Sequence, residues 1–362
     1  MNSASQTVRV DLSERSYDIL IGRQLLAAVA THLRAHQRLS HVLLITDENV
    51  RPHAETVNQS LADSGIATQL LTVVPGEKSK SVEVANQLWQ DALAAGAHRQ
   101  SVIVAVGGGV VGDLAGFIAA TFARGIDFVQ VPTTLLAQVD SSVGGKVGIN
   151  LPGAKNMVGA FWQPKFVLID TDVLTSLPDR EFRSGLAEVV KYGVILDEEL
   201  FSFLENNAAA INDREPSALA HTVARCCRLK ADVVTADERE TSGHRAALNY
   251  GHTFGHAIEA VTGYGELLHG EAISIGMLCA SRLAEQLSMI DAAATERQHK
   301  LLTVFGLPTE MPAMDHDKIL AAMQHDKKVE NGKLGFILPA RIGQVTLVRD
   351  IETRLVREAL NG

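Results

Sequence analysis

Three histidines, His252, His256 and His269, lie within one short stretch, residues 249–271, NYGHTFGHAIEAVTGYGELLHGE. A neutral imidazole is the commonest side-chain ligand for a divalent metal. His252 and His256 are four apart, so on a helix they share one face. His269 opens a second run of apolar periodicity. With one carboxylate from elsewhere, such a set suits an open, catalytic type of metal site. The HExxH metalloprotease signature does not apply, because Thr253 stands where its glutamate would be. The plain alternative is a group of helix-face or core histidines bonded to backbone carbonyls.

The segment SGLAEVVKYGVI, residues 184–195, offers the carboxylate. Glu188 and Lys191 stand three apart, and a surface ion pair is the ordinary explanation. Leu186, Val189, Val190 and Val194 leave that helix little solvated face, and a partly buried glutamate asks for a partner. Glu188 with His252 and His269 would make a one-carboxylate, two-histidine site, a donor set that matches zinc and leaves other divalent ions open. His256 would then lie close by without necessarily being a ligand.

A second chemistry is written in the glycines. GGGVVGDLAG, residues 107–116, follows the apolar run VIVAV and opens a helix. Glycines let backbone approach a phosphate, and a helix N-terminus favours its negative charge. The spacing departs from GxGxxG, and glycine-rich strand–helix turns are common, so the segment alone is a plausible pyrophosphate cradle. Asp47 ends another apolar run, where a carboxylate could accept a ribose hydroxyl or simply cap the next turn. PGEKSK, residues 75–80, offers Glu77 and Lys80 to a nucleotide, or is merely a polar turn. Residues 132–161 read as a long glycine-rich loop holding Asp140, Lys146, Lys155 and Asn156; a loop of that length in a compact domain is usually functional. Its lysines, with Arg124 just upstream, suit an anionic, phosphorylated substrate.

These groups need a frame. Runs at 42–45, 69–74, 102–106, 128–132 and 166–170 are continuous and apolar, as in strands buried on both faces. Helical patterns intervene, notably at 81–95 and 113–121, so a mostly parallel, Rossmann-like α/β sheet is expected. After Pro178 the pattern turns helical, at 180–194, 198–206, 217–237, 246–261, 271–286 and 295–305, with a late strand pair at 335–338 and 344–348. The expected domains are therefore an α/β domain over 1–180 and a mainly α-helical domain over 181–362.

The chain has 362 residues, 46% of them hydrophobic and 21% charged, ordinary for a globular enzyme of about two domains. A formal net charge of −9 argues against nucleic acid as the partner. Three cysteines, two of them adjacent, make no disulfide framework and fit a reducing compartment. The N-terminal residues are polar and strand-like rather than a signal peptide, and no apolar stretch runs long enough to span a bilayer. A cytoplasmic protein with no membrane partner is expected.

With these pieces assembled, the chain resembles the 3-dehydroquinate synthases. The likeness is collinear over nearly the whole chain: PGEKSK, GGGVVGDLAGF, FARG, PTTLLAQVDSSVGGK, GAKNMVGAF, GLAEVVKYG, KADVVTADERE, LNYGHTFGHAIE, LHGEAISIGM and HDKK run in family order. The resemblance implies an NAD-binding α/β domain followed by a helical metal-binding domain, a carbon–oxygen lyase, and a homodimer. It implies Glu188, His252 and His269 as ligands of one divalent ion, zinc or cobalt. The implied NAD contacts are Asp47, Pro75, Gly76, Glu77, Lys78, Ser79, Lys80, Gly109, Val110, Val111, Gly112, Asp113, Thr133, Thr134, Lys146, Lys155, Val173, Leu174, Thr175 and Ser176. The implied substrate contacts are Arg124, Asp140, Lys146, Lys155, Asn156, Lys191, Lys230, Arg245, Asn249 and His256. Lys146, Lys191, Arg245, Asn249 and His256 among them would be catalytic, and His256 would shuttle a proton. Lys327 and Lys328 both fit a late substrate-contacting lysine.

The implied substrate is a small phosphorylated sugar acid, 3-deoxy-D-arabino-heptulosonate 7-phosphate, converted to 3-dehydroquinate and phosphate. NAD would be used catalytically, oxidising C5 so that phosphate can be eliminated, then returning the hydride before an intramolecular aldol closes the ring. Rivals are another sugar-phosphate cyclase of the 2-deoxy-scyllo-inosose synthase type, a metal-dependent polyol dehydrogenase of the glycerol dehydrogenase type, and a nucleotide-binding regulatory module. The lysine-rich segment weighs against the dehydrogenase, which needs no phosphate clamp.

Overall fold

A computed structural model describes residues 6–36, 39, 41–152, 154–263, 266–324 and 334–361. The chain divides into two compact units, Met1–Leu177 with Leu219–Arg239, and Pro178–Ala218 with Glu240–Gly362. The segment 219–239 therefore clusters with the first unit, whereas sequence pattern alone assigned it to the helical half.

The first unit is built on nine strands: β1 (Gln6–Val10), β2 (Tyr17–Gly22), β3 (His41–Asp47), β4 (Ala67–Val73), β5 (Val102–Gly107), β6 (Asp127–Pro132), β7 (Lys146–Leu151), β8 (Ala154–Phe161) and β9 (Phe166–Asp170). Seven form one sheet in the order β1-β2-β9-β6-β5-β3-β4, parallel except for the β1–β2 pair. The all-buried runs VIVAVG and FVLID occupy its interior, as strands covered on both faces must. From β3 the chain moves outward to β4 and then returns to β5 on the other side. The ends of β3 and β5 therefore flank a topological switch point, the usual ligand position in open α/β sheets.

Helices α1 (Val29–His36), α2 (Arg51–Asp63), α3 (Val82–Ala94) and α4 (Gly109–Thr121) cover this sheet. Helix α4 is apolar nearly all round because it is covered on both sides. The Gly116 position approaches β7 so closely that a Cβ there would sit 2.3 Å from Val147 Cγ1. Val147 and Ile149 of β7 join Leu114 and Ile118 of α4 in one core.

Residues 132–161 are not the long loop that glycine content suggests. A π-helical turn, Ala137–Ser141, leads into the antiparallel β7–β8 hairpin. The glycines serve the hairpin: a Cβ on Gly159 would meet the Val147 carbonyl oxygen at 2.2 Å.

The second unit carries α5 (Asp179–Leu196), α6 (Glu198–Asn212), α8 (His252–Thr262), α9 (His269–Gln286), α10 (Ala292–Val304), α11 (His316–Gln324), α12 (Thr353–Ala359) and the hairpin β10 (Gly335–Arg341) and β11 (Gln344–Arg349). Helix α7 (Pro216–Ala236) belongs almost wholly to the first unit. The single helix expected over 246–261 is broken: a 3-10 turn, His244–Asn249, ends before Gly251, whose φ of +76° starts α8 afresh at His252. A Cβ at Gly251 would also sit 2.8 Å from the Met277 amide nitrogen, so glycine is required twice over. Among the described residues, no helix is long and apolar enough to cross a membrane.

Candidate metal and nucleotide sites

In the second unit, three helices converge on one carboxylate. Glu188 sits mid-way along α5, 1% exposed, in contact with the ammonium of Lys191, itself 2% exposed. Its Oε1 lies 3.7 Å from His252 Nε2 and 3.5 Å from His269 Nε2. These three residues offer ligand atoms all within 4.8 Å of one another.

The local structure explains the aim of each ring. His252 is the first residue of α8, and its Nδ1 lies 3.0 Å from the Tyr250 carbonyl oxygen. Nδ1–H donates to that carbonyl, so the lone pair is left on Nε2, facing Glu188. His269 is the first residue of α9. Glu271 fixes that start by accepting the Leu268 amide at Oε2, 2.8 Å away. Arg180 holds the same Glu271 through two contacts of 2.7 and 2.8 Å. The next residue, Gly270, lets α9 touch α5: its amide donates to Ser184 Oγ at 3.0 Å, and a Cβ would fall 1.9 Å from the Ser184 carbonyl oxygen.

Spacing separates a metal site from a plain hydrogen-bonded cluster. Ligands 2.0–2.1 Å from a tetrahedral ion stand about 3.4 Å apart. Direct N–H···O hydrogen bonds prefer roughly 2.7–3.2 Å. The Glu188–histidine separations of 3.5 and 3.7 Å match the coordination sphere better. Burial pulls the His269 imidazole down, yet the carboxylates of Glu188 and Glu259 outweigh it and push it up to about 9. Such a site attracts positive charge, whether a proton or a metal ion. His256, the other helix-face histidine, packs edge-on to His252 with ring centroids 5.2 Å apart and is not grouped with Glu188. It is grouped instead with Glu259 and His269. Glu259 escaped the sequence reading, although it stands seven after His252 on the same helical face. Arg245 is buried on the 3-10 turn that also carries Asn249. Lys327 and Lys328 lie outside the described residues.

In the first unit, a second cluster forms where α4 begins. Lys80 is 4% exposed, and its Nζ donates to Asp113 Oδ2 at 2.6 Å and Asn156 Oδ1 at 2.5 Å. Asn150 bridges outward, donating to Glu77 Oε1 at 2.8 Å and accepting the Asn156 amide at 2.8 Å. Asn156 adopts φ +55°, a conformation asparagine tolerates better than most residues. Burial pushes the Asp113 carboxyl up, with the Lys80 charge opposing.

The N-terminus of α4 has no side-chain cap. Its glycines leave little space above the backbone: a Cβ on Gly108 would sit 3.0 Å from Thr134 Cγ2, and one on Gly109 3.0 Å from Ser141 Oγ. Gly112 has a different duty, since a Cβ there would meet Gln130 Oε1 at 2.7 Å. Val110 and Val111 fill out the first turn, with Val111 in the core. Asp47 ends β3 and accepts the Asn49 amide at 2.9 Å, so it is a cap at the switch point. Burial raises its carboxyl above the usual range. Residues 75–80 form a 3-10 turn over Glu77–Ser79, entered through Gly76 at φ +98°. Thr133 is buried, and Thr134 Oγ1 accepts the Ala137 amide at 3.1 Å. Val173, Leu174, Thr175 and Ser176 lie on the 3-10 segment after β9, where Ser176 meets His53 at 2.9 Å.

Helix α7 closes this unit. Lys230 Nζ reaches the Asp140 carbonyl at 2.6 Å and its carboxylate at 2.9 Å. Cys227 Sγ donates to the Gln138 carbonyl at 3.3 Å, and burial pushes that thiol up to about 12, keeping it protonated.

The hairpin does not gather all its cations. Lys146 pairs with Phe161 at one end, while Lys155 lies beside the Leu151–Ala154 pair at the other. The five steps from Lys146 to Leu151 along β7, at about 3.3 Å each, put the two ends roughly 17 Å apart. Only the Lys155–Asn156 end meets Lys80. Arg124 stands with the Lys146 end: Trp162, one residue after Phe161, bonds the Ile126 carbonyl at 3.0 Å.

The chain is similar to known proteins in both sequence and fold. Residues 70–184 match the 3-dehydroquinate synthase N-terminal family, and residues 185–329 the 3-dehydroquinate synthase C-terminal family. The 3-dehydroquinate synthase of Rhodopirellula baltica is 50% identical over 367 residues, covering 99% of this chain and 98% of the relative. A crystal structure of 2-deoxy-scyllo-inosose synthase complexed with carbaglucose-6-phosphate, NAD+ and Co2+ superposes with a TM-score of 0.88 at 29% identity, covering 98% of this chain and 99% of that one. The 2-epi-5-epi-valiolone synthase of Streptomyces hygroscopicus, with NAD+ and Zn2+ bound, also gives 0.88, at 30% identity and 97% coverage of both chains. Collinear motifs, full-length identity and fold agree, and the chain belongs to the 3-dehydroquinate synthase family.

Proposed function

We propose that this chain converts 3-deoxy-D-arabino-heptulosonate 7-phosphate to 3-dehydroquinate and phosphate, as a carbon–oxygen lyase that uses NAD and one divalent ion, zinc or cobalt. The observation that carries the reading is the spacing of Glu188 Oε1 from His252 Nε2 and His269 Nε2, 3.7 and 3.5 Å, on a chain 50% identical to a relative of that name. Glu188, His252 and His269 would hold the ion, which when bound would supply Lewis acidity toward a substrate hydroxyl, and NAD would supply reversible hydride transfer.

The chain's own residues do the rest. Lys191 keeps a positive charge against Glu188 and offers donors to a substrate oxygen. His256, beside His252 but outside its ligand group, moves a proton. Arg245 and Asn249 orient the substrate from the turn before α8. In the first unit, the bare start of α4 suits the pyrophosphate of NAD. Asp47 and Thr134 flank it, and Lys80 braces Asp113 below. Lys155 and Asn156 supply charge-assisted contacts to a phosphorylated sugar acid, as do Lys146, Arg124 and the Lys230–Asp140 pair.

We place the protein in the cytoplasm as a homodimer, a reading supported by its three buried free cysteines and by the family. Sedimentation equilibrium tests the dimer.

The deciding experiment supplies the heptulosonate phosphate, NAD and zinc to the purified protein. Phosphate and dehydroquinate should appear together without accumulating NADH. NADH formed in step with turnover would make the protein a dehydrogenase. Turnover of glucose 6-phosphate in place of the heptulosonate would make it a different cyclase.

A further inference from the structure

We infer that Glu259 is a positioning residue for the metal centre: it accepts the Nδ1 proton of His269 and thereby fixes which nitrogen of that ring faces the ion. The inference rests on the reading that Glu188, His252 and His269 hold the metal.

The two imidazoles are braced differently. His252 has its Nδ1 at 3.0 Å from a neutral backbone carbonyl, that of Tyr250. His269 has its Nδ1 at 3.5 Å from a carboxylate oxygen, Glu259 Oε2, a separation longer than a direct N–H···O bond that donation from Nδ1 would shorten. Glu259 lies on α8 and is 8% exposed, so its charge is costly unless a donor faces it. His269 is the first residue of α9, so one carboxylate ties the start of one helix to the flank of the other. Metal-bound histidines commonly give their second N–H to a carboxylate or carbonyl, which sets the tautomer and makes the ligand more basic. Here one ligand has each kind of partner.

The same distances raise a rival. His256, Glu259 and His269 also place ligand atoms within 4.8 Å of one another, so Glu259 could be a ligand of a second ion. The ring chemistry decides against that. A neutral imidazole has one lone-pair nitrogen and one N–H. With Nε2 of His269 committed beside Glu188, Nδ1 carries the proton and can only donate. Glu259 is then the acceptor of that bond.

The test compares Glu259→Ala and Glu259→Gln with the parent protein. Zinc affinity is read by competition with a chromogenic chelator. Loss of such an outer partner costs about 10- to 100-fold in metal affinity. Glu259→Ala should fall in that range, while Glu259→Gln, whose amide oxygen still accepts the proton, should recover part of it. Nitrogen NMR of the zinc-loaded protein should find Nδ1 of His269 protonated in the parent and in Glu259→Gln. The cobalt form should change its visible spectrum in Glu259→Ala. NAD affinity, which reports the first unit, should hold in both variants.

Unchanged zinc affinity and cobalt spectrum in Glu259→Ala overturn the inference. So does a parent protein that binds two zinc ions where Glu259→Gln binds one, because Glu259 is then itself a ligand. His269→Ala separates the layers. If it keeps stoichiometric zinc, the metal assignment itself is wrong. If it loses zinc while Glu259→Ala behaves as the parent, only the role of Glu259 fails.

Discussion

The metal cluster of the second unit and the lysine cluster of the first both bury charge, but they are held by different means. Glu188, His252 and His269 ride on three α-helices whose mutual approach is set by backbone contact at glycine, as at Gly270 against Ser184. Their ligand atoms are already at coordination spacing. Lys80, Asp113 and Asn156 are joined by side-chain hydrogen bonds across a 3-10 turn, a helix and a hairpin strand. Helix ends aim a rigid ring within a fraction of an ångström, as a metal demands. Lys80, at the end of a 3-10 turn, is instead held through its flexible side chain by two oxygen acceptors. The first arrangement is set by backbone approach, the second by side-chain pairing.

The sharpest way to break the comparison is to remove Glu188. In Glu188→Ala the ammonium of Lys191 stays buried without its partner. Breaking a buried pair by deleting one member costs about 3–5 kcal/mol. We expect loss of bound zinc by elemental analysis, together with a lower urea midpoint. A variant that keeps one zinc per chain would remove Glu188 from the centre.

Lys80→Met tests the other cluster. It leaves the Asp113 carboxyl, already pushed up by burial, without the main charge that opposes the shift. Hydrogen bonds to charged groups contribute about 1.5–3 kcal/mol. NAD affinity, measured by calorimetry, should weaken at least roughly tenfold, the equivalent of about 1.4 kcal/mol. Zinc content should not change. Joint loss of zinc and NAD would mean that the two clusters are not independent.

Gly270→Ala asks whether helix approach matters for the ion. The added methyl would fall 1.9 Å from the Ser184 carbonyl, so the start of α9 must move away from α5. Overpacking of this kind typically costs about 1–3 kcal/mol. We expect weaker zinc binding in the chelator competition with NAD affinity retained. Parent-like zinc affinity would mean that the ligands tolerate displacement, and the contrast drawn above would not hold.

Parts of this organisation were legible in the chain. The buried strands β3, β5, β6 and β9 were readable because continuous apolar runs of four or five residues fit little else, whereas the run at 69–74 belongs to the sheet-edge strand β4, which is partly exposed because only one neighbour covers it, and Glu188 stood out because its helix had little wet face. The long loop was misread for a physical reason. In β7 and β8 the alternation of apolar and polar residues is blurred by glycines at 148 and 159, which permit strand contact and carry no pattern of their own. The break at Gly251 was likewise hidden inside an apolar period, since a positive φ leaves no mark on hydrophobic spacing. Helical spacing drew attention to His252 with His256, whereas the fold groups His252 with His269 across two helices. Glu259 was within reach of the same period, seven residues on. That α7 belongs to the first unit depends on contacts far apart in sequence, such as Lys230 with Asp140, and no local pattern reports them.

The smallest effect concerns that last contact set. Arg15 grips Glu238, just beyond α7, through contacts of 2.6 and 3.0 Å, and Gln163 adds a third at 3.1 Å. The Arg15 guanidinium holds the Glu238 carboxyl below its ordinary range, against the opposing effect of burial. Arg15 is 54% exposed, so solvent screens the pair and its contribution is small. A depressed carboxyl stabilises the fold above its unfolded value, about 4.3 for glutamate, and that contribution is lost as pH falls through the folded value. Glu238→Gln should therefore lower stability slightly near pH 7, and the gap to the parent should close as pH drops below about 4. Urea titrations of both proteins at several pH values measure it. A gap that widens in acid would mean that Glu238 does not carry this part of the docking, and that α7 is held to the first unit by its buried contacts at Lys230 and Cys227 alone.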